Sequence, residues 1–166
     1  MNKLFTLVLA FSLIVCFNSC KDDSMPPTDY HDFAIGAYTE LDNEIAEFSV
    51  AIWDTTYTVD QLVEVYENCQ KIIETNLPVL QETETLKDDP GLLLSVLDFY
   101  NNVYEIINNE YAEVLSFYEK EVWEDSYNTQ IMDLYKKAVD ELVEKEDAVI
   151  KAQEDFAAAY DILLND

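Results

Sequence analysis

Carboxylates are the most abundant reactive groups in this chain. Of 166 residues, 35 are Asp or Glu, set against nine Lys, no Arg and one His. Acids in that number can ligate cations, work as an acid–base pair across a cleft, or solvate a surface. Di-iron helical bundles need Glu-x-x-His on two helices, and His31 is the only imidazole. A Ca²⁺ loop needs alternating acids around a central Gly; the nearest run, Asp125 to Gln130, has neither. The cluster Asp140, Glu141, Glu144, Glu146, Asp147 reads as a solvated helix face, and His31 as an exposed polar residue at a frayed helix start. A glycosidase-type carboxylate pair requires a cleft that a narrow bundle does not offer. Neither a Gly-x-Ser-x-Gly elbow, a His-Glu-x-x-His pair nor a phosphate-cradling glycine loop occurs. Cys69 lies on an apolar seam and reads as a small buried hydrophobe. The expectation is a non-enzyme with no catalytic residues, no metal ligands and no cofactor.

Those residues must be positioned by helices. Half the chain is apolar, with only two Gly and four Pro, which argues against a many-stranded protein. Ala34, Tyr38, Leu41, Ile45, Phe48 and Ile52 step by four and three, the spacing of one helix face. Thr58 with Gln61 forms a capping-box pattern, opening a second stripe through Val59, Leu62, Tyr66, Cys69, Ile73 and Leu80. Pro78 should kink or end that helix near Asn76. Asp89 as N-cap, with Pro90 at the first helical position, should start a third helix. Its seam is Leu93, Leu97, Tyr100, Tyr104, Ile107, Tyr111, Val114 and Tyr118, in coiled-coil-like heptad step. The polar run Asp125 to Thr129 should break the chain before a fourth helix with Ile131, Tyr135, Ala138, Leu142, Lys145, Val149, Ala152, Phe156, Ala159 and Leu163. The predicted fold is all-α: an elongated antiparallel up-down bundle of four long helices over 29–166, or three if the last two fuse.

The N-terminus reads as an address. Lys3 precedes the apolar run Leu4 to Phe17, too short for the ~20 helical residues that span a bilayer and suited to a signal peptide. Small Ser19 precedes Cys20, and Lys21-Asp22-Asp23-Ser24 follows it. This segment resembles the signal of Bacteroidota-type surface-exposed lipoproteins, with Phe17 where Leu is usual. The resemblance covers residues 1–24 and implies nothing about the domain behind them. It implies a signal peptide over 1–19, lipidation at Cys20, an export signal in Lys21, Asp22 and Asp23, and a lipidated tether over 20–28. Location would be the outer membrane, anchored by acyl chains and facing the exterior.

Charge narrows the partners. A formal net charge of −26 leaves no basic footprint for nucleic acid. Four pairs, Glu67–Lys71, Asp133–Lys137, Glu141–Lys145 and Asp147–Lys151, place an acid four residues before a lysine, where each would support its helix by a few tenths of a kcal/mol. Phe99, Ile106 and Phe117 widen the apolar face of helix three, for a second neighbour or for self-association. In an up-down bundle the first and third helices end together, and Trp53, Tyr57, Trp123 and Tyr127 lie at those ends. Trp and Tyr concentrate binding energy at interfaces, so these four are the candidate partner contacts, unless they fold back as lids on the core. The leading functional expectation is a surface lipoprotein with a non-enzymatic helical domain that binds a protein or has a structural role. The alternatives are an immunity or inhibitor lipoprotein that neutralises a basic toxin, and an extracellular ligand or cation carrier.

Overall fold

The computed structural model describes residues 25–120 and 122–164. The expected signal peptide, Cys20 and the Lys21-Asp22-Asp23 motif lie outside them. The described chain is an all-α bundle of four helical columns. Helix α1 is Pro27–Ala51 and α2 is Val59–Glu82. The third column is α3, Leu92–Ile106, which passes through a π-helical turn, Ile107–Tyr111, into α4, Ala112–Tyr118. The fourth column is α5, Asp125–Ala159, about 50 Å long at ~1.5 Å per residue. No helix of the described residues is long and apolar enough to cross a membrane.

Contacts between distant residues fix the antiparallel order. At one end the Tyr30 hydroxyl donates to Asp89 at 2.7 Å and its ring stacks on Phe156 at 5.6 Å, joining the starts of α1 and α3 to the end of α5. At the other end the Tyr118 hydroxyl donates to the Ile52 carbonyl, and Trp53 packs edge-on to Tyr135. Between them Phe48 stacks on Tyr111 at 4.5 Å, and the Tyr100 hydroxyl donates to the Ala37 carbonyl at 2.7 Å. Buried tyrosines thus add area to the core while their hydroxyls find acceptors.

The predicted seams hold in α1, where Ala34, Leu41, Ile45, Phe48 and Ile52 are buried, and in α5 from Ile131 to Phe156. The capping box of α2 is formed: the Gln61 amide donates to the Thr58 hydroxyl and the Gln61 side chain accepts from the Thr58 amide. Phe99, Ile106 and Phe117 are buried inside the chain, so that flank is covered by neighbouring helices of the same molecule.

Six details differ from the sequence reading. α1 starts at Pro27, two residues into the expected tether, because proline fits the first helical turn where no amide partner is needed. Pro78 sits inside α2 without ending it; it faces solvent, where the lost bond is tolerated, and fully buried Leu80 anchors the final turn. Gly91, at φ 121°, is the residue flanking α3, while Asp89 caps from two residues further back. The break between columns three and four falls at Glu119–Glu124, and Asp125 to Thr129 form the first turn of α5. Tyr104 is 48 % exposed, since Val103 takes the inward position. None of the four lysine pairs forms: Lys137 reaches Glu110, Lys145 reaches Asp98 at 2.8 Å, and Lys151 turns forward to Asp155 at 2.6 Å. Two of these lysines cross to another helix: Lys137 neutralises the buried Glu110 carboxylate, and Lys145 reaches an exposed one on α3.

Candidate functional site

The expected tip residues do meet at one end of the bundle. α1 ends at Ala51, and Asp54 accepts the Thr56 amide at 2.9 Å to turn the chain toward Thr58. Under this turn lies a small cavity of about 110 Å³ lined by Ile52, Trp53, Tyr57, Leu62 and Tyr118. Tyr118 closes the gap between columns. Its hydroxyl is held by Ile52, and its ring packs against Trp123 at 5.5 Å. Trp123 stands edge-on to Tyr127 at 5.7 Å, Tyr127 packs on Phe117 at 5.0 Å, and the Lys120 ammonium lies over both of those rings. Trp53 stands edge-on to Tyr135, 5.7 Å away.

Both tryptophans are braced by tyrosines yet remain 41 % and 44 % exposed. Exposed Val122 continues the apolar surface between Trp123 and the α4 end. Trp53 meets Tyr135 edge-on, and Trp123 is held between Tyr118 and Tyr127. The sequence reading identified the four aromatics but not Tyr118 as their link, nor Lys120 and Tyr135 as supports. The heptad count places Tyr118 on the seam alone, and the two supports lie in α5 and in the connection after α4.

The remaining chemistry-bearing residues have structural surroundings. His31, expected on the surface, is 8 % exposed. Because the helix starts upstream of it, His31 falls in the second turn, its ring against Phe156 and its nitrogens 3.1 Å from Asp32 and 3.3 Å from Gln153. Cys69 is buried, and desolvation pushes its thiol up to about 12, where it has no thiolate reactivity. Glu110, buried in the π-helical turn, is paired with Lys137 of α5. Among the described residues, no three His, Cys, Asp or Glu side chains group as cation ligands.

Asp42 of α1 and Glu146 of α5 form a different kind of pair. Both are half-buried, and burial raises both carboxyls above their ordinary range; the charges of Asp42 and Asp147 raise Glu146 further. Neither belongs to any of the ion pairs of the described residues. A raised carboxyl holds its proton more tightly folded than unfolded, so stability falls as pH rises through its titration. The melting temperature should therefore climb as pH is lowered from 7 toward the ordinary carboxylate range of about 4. Asp42→Asn with Glu146→Gln should raise it at pH 7 and flatten the dependence, which circular dichroism melts would read directly.

Comparison with family models, with curated proteins and with solved structures gives no match.

Proposed function

We propose that this is a lipid-anchored outer-membrane surface protein whose helical domain is a non-enzymatic binding module, engaging a protein partner through its aromatic tip. The observation that carries the reading is the half-exposed Trp53–Trp123 patch, supported from below by Tyr118, Tyr127 and Tyr135. Tryptophan on a rigid support supplies contact area at low entropic cost. The Cys20 tether would leave α1 running away from the membrane, so its far end is the one a partner meets first. A formal charge of −26 keeps the domain off anionic lipid and favours capture of basic partners at high encounter rates. That charge also supports the second reading, an immunity protein for a basic toxin.

The test has two arms. Trp53→Ala with Trp123→Ala should cut partner capture from the extracellular milieu at least about tenfold, a loss of ~1.4 kcal/mol or more, with a melting temperature lowered only slightly. Retained capture with a large loss of stability would make the indoles lids on the core. In the second arm, Cys20→Ala should release the protein from the membrane fraction. Alanines at Lys21, Asp22 and Asp23 should protect it from protease added to intact cells; unchanged shaving would overturn surface display.

A further inference from the structure

One face of the bundle is left open in an ordered way. On α5, Met132, Val139, Val143 and Ile150 step by seven, four and seven. Each directly follows a buried seam residue, respectively Ile131, Ala138, Leu142 and Val149, and so lies ~100° round the helix from the core. Met132, Val143 and Ile150 are each about half exposed. The flank they occupy is the one toward α1. Tyr135 and Gln153, ~40° round in the same sense, touch Trp53 in the turn that ends α1 and His31 of α1, whereas Lys145 on the opposite flank bonds Asp98 of α3.

Helix α1 repeats the pattern. Ile35, Asp42, Ala46 and Trp53 also step by seven, four and seven, each directly following buried Ala34, Leu41, Ile45 or Ile52. The Trp53–Tyr135 and His31–Gln153 contacts set the antiparallel register. That register brings Trp53 level with Met132, Ala46 with Val139, Asp42 with Val143, and Ile35 with Ile150. α1 and α5 are also the most sparsely packed of the neighbouring columns. Two stripes in matching register thus border a shallow groove ~27 Å long at ~1.5 Å per residue. Seven-four spacing on both walls is what one further helix needs to insert its own apolar side chains.

The charges in the groove select that helix. Asp42 and Glu146 face each other across it, half-buried and without lysine partners among the described residues. The outer rim of α5 adds Asp147 and Glu154 against one cation, Lys136. A second copy of the chain would bring another −26 charges and set its own Asp42 and Glu146 against these. We propose that the α1–α5 groove seats a cationic amphipathic helix of a partner protein. Its apolar face lies along the two stripes, and its Lys or Arg side chains neutralise Asp42 and Glu146. The site shares Trp53 with the tip patch and does not depend on lipid anchoring.

A synthetic helix of about 18 residues, leucine at seven-four spacing and lysine elsewhere, is the probe, titrated into the protein by calorimetry. It should bind one to one, and a scrambled peptide of the same composition should bind at least about tenfold more weakly. Val143→Asp should weaken binding about tenfold or more. Asp42→Asn with Glu146→Gln should weaken it similarly without lowering the melting temperature, which separates a docking role from a structural one. Trp123→Ala, which disables only the tip patch, should leave this binding unchanged. Equal binding of the scrambled peptide, or parent-like binding by both groove variants, would overturn the proposal. So would sedimentation showing a dimer that Val143→Asp dissociates, which would make a second copy the occupant.

Discussion

Phe156→Ala should destabilise the bundle by about 3–5 kcal/mol, the largest effect of any single truncation proposed for this chain. Phe156 is fully buried near the end of α5 and contacts the rings of Tyr30, His31 and Tyr160, at 5.6, 6.1 and 4.6 Å. Three rings on two helices converge on it, so the neighbours cannot collapse into the void without giving up their own contacts. Tyr104→Ala is the matched control: despite its place in the heptad count the ring is half exposed, and its loss should cost less than about 1 kcal/mol. Denaturant midpoints at constant slope would separate the two; equal shifts would contradict the core described above.

Asp89→Ala should follow, at about 2–4 kcal/mol. One carboxylate oxygen accepts the Gly91 and Leu92 amides at 2.8 and 2.7 Å, and the other accepts the Leu93 amide at 3.3 Å and the Tyr30 hydroxyl at 2.7 Å. The side chain therefore satisfies the otherwise orphaned start of α3 and also ties α1 to it. Gly91, with φ at 121°, makes the turn between cap and helix possible. Alanine would leave the mostly buried Tyr30 hydroxyl and three amides without that acceptor. Asp89→Asn should recover part of the loss, because the amide oxygen can still accept from the helix while the charge is gone. If alanine and asparagine were equally mild in denaturant titrations, the cap would carry little of the stability.

Fold class, helix number and most seam residues were readable because long helices write their buried face as a 3.6-residue period. What escaped the reading depends on distance in space. The Asp125 to Thr129 run reads as a break because Ser, Asn, Thr and Asp suit loops, yet the same side chains suit the first turn of a helix, and composition alone does not choose. Tyr104 is misplaced because the heptad count centres the seam on Leu93, Leu97 and Tyr100, whereas the buried face also takes in Leu92, Val96, Phe99 and Val103 and is centred roughly 65° round the helix from there. His31 looked exposed because nothing local signals that Phe156 and Gln153, more than a hundred residues later, cover it. The lysines were assigned to acids on their own helix, since sequence gives the i to i+4 partner and hides Glu110 and Asp98 across the bundle. At the tip, residue types named the four aromatics, but their union into one patch rests on the Tyr118 hydroxyl reaching Ile52.

The sparse meeting of α1 with α5 also orders how the molecule assembles. α1 packs on α2, and the α3–α4 column packs on α5, each across a short connection. Such neighbours find each other after closing small loops, at little entropic cost, which makes a chain of this topology a fast folder. Only the seam between the first and last helices requires the two termini of the domain to come together. Its backbones approach each other at the fewest places and it carries two mutually repelling carboxylates, while the Tyr30–Phe156 and Trp53–Tyr135 ring contacts pin its two ends. The helical hairpins therefore form early, and the circle of four columns closes last. In the native state amide exchange should open first along the middle of this seam, between its two aromatic ends, with the other interfaces, the α1–α3 contact included, intact.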